Sequence, residues 1–163
     1  MHPLMTKAQQ FINTQDFDEA SKVLEQIVRD DPKSAAAHMG LGVINMRLGN
    51  YEEADRHFDD VININEKSAK AWSMKAGVSI KRDNTDKAIA QYQQALAVDP
   101  KHNKSRVSLG TLYAKNEDYT NAETYLRDAL RYNPQNSQAS LLLARVLHQL
   151  DRTDEARETM QKM

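Results

Sequence analysis

The sequence contains no cysteine. That excludes a disulfide scaffold, a thiol nucleophile, an iron–sulfur cluster and a thiolate zinc site, and it leaves redox chemistry silent about the compartment. No apolar run approaches the ~18 residues that carry a helix across a bilayer, so no membrane span is expected. The opening stretch Met1-His2-Pro3-Leu4-Met5-Thr6-Lys7 lacks a basic segment followed by an apolar one. No export signal is therefore expected in this chain, and a soluble, cytoplasmic protein is favoured.

Large apolar residues are also scarce. Leu, Ile, Val and Phe make up just under a fifth of the 163 residues, a level that signals disorder only when joined to a large net charge. The net charge is −1. Nineteen alanines replace the missing bulk; Ala is the best helix former and is small enough for helix axes to approach closely. The length suits one ordinary domain or a short array, and the composition points to an all-α fold.

The alanines are not scattered. Ala20, Ala54, Ala88, Ala122 and Ala156 recur at intervals of 34 residues, and Ala8, Gly42, Ala76, Gly110 and Ala144 follow the same step. Pro32, Pro100 and Pro134 keep the frame, with Glu66 at the skipped position. The period divides the chain, residues 1–163, into a single array of units 1–34, 35–68, 69–102, 103–136 and a shortened 137–163.

Each unit reads as two helices. The start signal of the second is Asp or Asn before an aromatic and acidic or polar residues, as in Asp16-Phe17-Asp18-Glu19-Ala20 and Asn50-Tyr51-Glu52-Glu53-Ala54. Such side chains accept from the free amides of a helix N-terminus, and nearby carboxylates suit its dipole. The stop is Asp-Pro or Asn-Pro, because a proline disfavours αR in the residue before it. Helix A is expected near positions 2–14 of each unit and helix B near 18–30.

A large residue at position 4, Leu at 7, Gly or Ala at 8, Tyr at 11, Ala at 20 and 27 and Pro at 32 resembles the tetratricopeptide repeat. Repeat four shows it in Leu109, Gly110, Tyr113, Ala122, Leu126, Ala129 and Pro134; repeat three supplies Trp72, Ala76, Ala88, Tyr92, Ala95 and Pro100. The resemblance implies a right-handed α-solenoid of about five helix-turn-helix units that serves as a scaffold for protein segments. Outside repeat three, position 4 holds Leu4, His38, Arg106 and Ser140, so helix A should pack unevenly along the array.

No enzyme chemistry is legible. The histidines His2, His38, His57, His102 and His148 form no i, i+4 pair, and HExxH, GxSxG and phosphate-loop patterns are absent. His57 stands among Asp55, Asp59 and Asp60, but acidic residues along a helix B face read as solvated surface. Neither a catalytic site nor a metal site nor a cofactor is assigned. Trp72 and the tyrosines fall mostly at positions that pack between helices.

Charge is the informative feature. Positions 1–14 of the five units hold ten basic residues and no acid, whereas the other segments hold twelve basic residues and all 23 acids. In tetratricopeptide solenoids the A helices line the concave face, so the resemblance turns this segregation into a basic groove. Its expected residues are Arg47, Lys81 and Lys115 at position 13, Lys70 and Lys104 at position 2 and Arg145 at position 9. Met39, Val43, Met46 and Met74, with Met5, Ile80 and Val107, form an apolar floor. Methionine is flexible and polarisable, which suits an imperfectly complementary ligand.

The expected function is therefore a non-enzymatic scaffold whose groove binds an acidic protein or peptide segment with apolar anchors. The family's carboxylate-binding pocket keeps only its lysine here: Met5, Gln9, Gly40, Lys70 and Met74 occupy its positions in repeats one to three. The alternative is an assembly module. Leu141, Leu142, Val146 and Leu150 make helix A of repeat five the most apolar, and the short final helix, with Ala156, Met160 and Met163, covers it thinly. That end would then stack on a second copy as a homo-oligomer, or on further repeats of a longer protein. Nucleic acid is not an expected partner, since binders of phosphate backbones usually carry a basic overall balance.

Overall fold

A computed structural model describes residues 4–161; His2 and Met163 lie outside them. Ten helices follow one another: α1 (Met5–Asn13), α2 (Phe17–Asp30), α3 (Ala35–Leu48), α4 (Tyr51–Ile64), α5 (Ala69–Lys81), α6 (Thr85–Val98), α7 (Asn103–Lys115), α8 (Tyr119–Tyr132), α9 (Ser137–Gln149) and α10 (Thr153–Gln161). There is no strand among the described residues. Odd-numbered helices are the expected A helices and even-numbered ones the B helices. The chain forms two compact units, one running to Ala88 and one from Ile89, with the boundary inside α6.

The turn inside each repeat follows one rule. Gln15, Gly49, Asp83, Glu117 and Asp151, all at position 15, have φ between 55° and 83°, the left-handed region that ends a helix. The next N–H then reaches back five residues, as from Asp16 to the Phe11 carbonyl and from Asp118 to the Tyr113 carbonyl, both at 2.9 Å. That same position-16 residue starts helix B: Asp118 Oδ1 accepts from the Asn121 N–H at 3.1 Å, and Asn84 Oδ1 from the Lys87 N–H at 3.1 Å.

Between repeats the work is done by the residue before the proline. Asp31, Asn65, Asp99 and Asn133 each accept on Oδ1 from the N–H two residues on, at 2.9–3.2 Å, closing an Asx turn. Asn65 does this with Glu66 in place of proline, so the turn survives the skipped position.

The alanine period marks the core. Ala20, Ala54, Ala88 and Ala122 have no exposed surface. In the first unit, Leu24, Ile27, Leu41 and Ile44 fill one cluster across α1, α2 and α3, and Phe58, Ala54 and Val78 form another with Met39, Val43, Met46 and Met74 against it. Burying Phe58 alone stabilises by about 2 kcal/mol. In the second unit, Leu126, Leu143, Val146 and Leu147 are buried together with Val107, so Val107 belongs to the core rather than to a groove floor.

The irregular position 4 is filled by polar reach. His38 Nε2 lies 3.1 Å from the Pro32 carbonyl. In the second unit the Arg106 guanidinium donates to the Pro100 carbonyl and lies 4.1 Å from the centroid of the Tyr132 ring, a cation–π contact. Both side chains are buried, and each reaches a proline carbonyl of the preceding turn.

Candidate functional site

Of the ten basic residues of the A segments, Lys7 lies over the Phe11 ring on its own helix, and the other nine divide once their partners are known. Lys75 is buried and pairs with Asp59 and, at 3.6 Å, with Asp55 on α4. Arg82 meets Glu52 at 3.0 Å, and Arg106 is used as above. Lys75 and Arg106 are buried and engaged within the fold, and Arg82, though exposed, is paired with Glu52. Arg47, Lys70, Lys81, Lys104, Lys115 and Arg145 are all exposed, and none forms an ion pair with a described residue. Those six are the cations that the repeat pattern singles out.

In the first unit, Arg47 sits at the end of α3 with its guanidinium 5.7 Å from the centroid of the Phe17 ring, which holds it at that position. Lys70 and Lys81 stand at opposite ends of α5. Met39, Val43, Met46 and Met74 are half-buried: one side of each packs on the Phe58 cluster, and the other stays accessible.

In the second unit the A helices α7 and α9 and the start of α8 enclose a cleft of about 340 Å³. Lys115 and Arg145 line it together with Leu142, Val146, Ala114, Tyr119, Thr111 and Gln149. Two of the six cations thus share one cleft with two residues of the expected C-terminal interface. Tyr119 and Gln149 carry no signal in the repeat pattern that would mark them for it. Lys104, at the N-terminal end of α7, is not among the lining residues.

The three leucines and the valine of that expected interface do not behave alike. Val146 is buried, Leu142 and Leu150 are half-buried against the same core, and only Leu141 is open to solvent. Beneath them α10 is held by a feature the sequence reading missed. Arg152 donates to Glu123 at 2.7 Å and to Glu155 at 2.6 Å, and Arg127 reaches the same two carboxylates at 2.7 and 3.0 Å. Hydrogen bonding from Arg152 lowers the Glu155 pKa, and the two carboxylates raise that of Arg152. The network ties α10 to α8.

The sequence profile of the cilia and flagella-associated protein 70 C-terminal domain matches residues 4–163. The chain belongs to that family. No curated protein matches it. As a tetratricopeptide domain it superposes on PilF of Pseudomonas aeruginosa with a TM-score of 0.87 at 18% identity, over 98% of this chain and 72% of that one. The MamA crystal structure gives 0.82 at 19%, over 95% and 91%. YrrB, described as a tetratricopeptide protein with an unusual peptide-binding site, gives 0.72 at 17%, over 99% and 83%. The shared fold is an all-α helical repeat of the kind that forms protein-interaction scaffolds, typically without catalysis. Among the described residues no helix is long and apolar enough to cross a membrane.

Proposed function

We propose that this domain is a non-enzymatic protein–protein interaction scaffold whose basic, Met-lined A-helix surface binds an acidic segment with apolar anchors. The supporting observation is the cleft of the second unit, where Lys115 and Arg145 stand over walls of Leu142, Val146 and Ala114. A side chain such as Leu or Phe fits the walls while flanking carboxylates meet the cations. An exposed ion pair contributes only about 0.2–1 kcal/mol, so the apolar contact supplies affinity and the charges supply on-rate and partner choice. The exposed Lys70 and Lys81 and the half-buried methionines give the first unit the same combination. The peptide-binding site ascribed to YrrB is consistent with a peptide ligand here.

An NMR titration with a synthetic peptide of Glu residues around Leu and Phe anchors tests this. Shifts concentrated at Ala114, Lys115, Leu142 and Val146 are expected, weakening as salt rises. Shifts confined to α8 and α10, or insensitive to salt, contradict the proposal.

A second reading has its own support. Leu141 and Met160 are 47% and 43% exposed and line one shallow pocket with Ala144, Arg145 and His148. That apolar edge could be covered by a second copy. Sedimentation velocity over a range of concentrations, with Leu141→Lys as the comparison, decides it: a dimer that the variant abolishes supports assembly, and a monomer throughout removes it.

A further inference from the structure

Outside the cleft, one cluster brings three metal-ligating atoms to a single point. His38, in the first turn of α3, and His57 and Asp60, in the middle of α4, come from one repeat and one compact unit. His38 Nδ1 lies 3.2 Å from His57 Nδ1 and 3.2 Å from Asp60 Oδ2, and His57 Nδ1 lies 3.9 Å from the same oxygen. We propose that His38, His57 and Asp60 form a binding site for a divalent transition-metal ion such as Zn²⁺, clamping α3 to α4.

The triangle has the right size. Ligands held about 2.0–2.1 Å from a tetrahedral ion stand about 3.3–3.4 Å from one another. Two edges of 3.2 Å and one of 3.9 Å reach that pattern with a small turn of the Asp60 side chain, which is half-exposed and free to make it.

Proton bookkeeping points the same way. A carbonyl oxygen can only accept, so the 3.1 Å contact from His38 Nε2 to Pro32 places a proton on Nε2. In the neutral ring the Nδ1 lone pair then faces the other two groups. Second-sphere contacts of this kind to a backbone carbonyl fix the tautomer of metal-binding histidines. With both rings neutral and no ion, a proton on His57 Nδ1 has two acceptors to serve, His38 Nδ1 and Asp60 Oδ2, and the contact between those two acceptors holds no proton. A cation satisfies all three contacts.

The donor set selects the ion. Two imidazole nitrogens and one carboxylate suit zinc, cobalt, nickel or copper rather than magnesium or calcium, which prefer all-oxygen shells. The neighbouring carboxylates are otherwise engaged: Asp55 and Asp59 pair with Lys75, and Asp55 also with Lys87 at 3.6 Å. Three protein ligands leave a fourth position for water. His38 is buried while Asp60 is half-exposed, so that position opens toward solvent on the α4 side.

The sequence pattern hides this site because its two histidines are 19 residues apart on different helices, where a search for i, i+4 pairs does not look. The test is a titration of the untagged full chain with Co²⁺, read by visible absorption, and with Zn²⁺, read by calorimetry. One equivalent should bind, Co²⁺ should show the strong d–d bands of low coordination, and Zn²⁺ should raise Tm. His57→Ala and Asp60→Asn, at half-buried positions that keep the fold, should each weaken binding by at least about tenfold and abolish the Tm rise. His102→Ala and His148→Ala should leave both unchanged. Absence of binding by the parent chain, or binding that His57→Ala does not alter, overturns the proposal.

Discussion

Phe58 lies so close under Gly42 that a Cβ on the glycine would stand 2.5 Å from the ring. The alanine-or-glycine series at position 8 is thus a packing requirement set by the facing side chain: Gly110 meets Leu126 at 2.6 Å in the same way. Gly42→Ala should destabilise the fold by about 1–3 kcal/mol, because a ring in a packed core cannot retreat. Gly77, also inside a helix, has nothing nearer than Met46 Sδ at 3.8 Å. Gly77→Ala should therefore stabilise by about 0.5–1 kcal/mol through helix propensity. Urea denaturation of the two variants should move the midpoint in opposite directions.

The left-handed residue at position 15 gives a second contrast. Glu117, at φ 61°, has a side chain where Gly49 has none. Glu117→Gly should cost little or stabilise by a few tenths of a kcal/mol, whereas Gly49→Ala should destabilise by about 1 kcal/mol. Equal losses in thermal unfolding would show that the turn does not depend on this conformation.

Repeat five depends on charge. Replacing Arg152, which bridges Glu123 and Glu155, should loosen α10 while leaving α8 and α9 in place. Arg152→Ala should speed amide hydrogen exchange across Thr153–Gln161 and leave Leu143 and Leu147 protected. Uniform acceleration through the second unit is the contrary result.

Two histidines make stability depend on pH. Burial is the main cause that holds His57 and His102 below the ordinary value of about 6.5, aided by His38 for the first and by Lys104 and Arg106 for the second. The unfolded chain then takes up protons before the folded one, so their contribution is complete above pH ~6.5 and is lost as pH falls through the unfolded value toward the folded one. With metal removed by chelator, Tm should decline between pH 7 and 5 in that sense, and His102→Gln should make the decline shallower. Parallel curves would show that His102 takes no part.

Much of the fold is legible in the sequence, because one small residue is required wherever two helices touch and the 34-residue step repeats it. Position 15 is not legible, since four of its five occupants are not glycine and tolerate φ > 0 at a cost too small to constrain composition. The charge segregation of the A segments was readable, but it overcounts the unpaired cations: Lys75, Arg82 and Arg106 are taken up by Asp59, Glu52 and the Pro100 carbonyl. Those partners lie on other elements, where a count along one helix cannot see them. Tyr119 joins the cleft only through the packing of α8 beside α7.

The proposed binding surface is tested most directly by charge reversal at the cleft. Affinity for the Glu-rich peptide with Leu and Phe anchors is measured by fluorescence anisotropy at low and high salt, for the parent chain, for Lys115→Glu with Arg145→Glu, and for Arg131→Glu on the exposed face of α8. The double reversal should weaken binding at least tenfold, about 1.4 kcal/mol, and remove most of the salt dependence, with unchanged Tm, while Arg131→Glu leaves affinity as it was. Binding that survives the double reversal, or that Arg131→Glu weakens equally, contradicts a basic A-helix surface as the site of recognition.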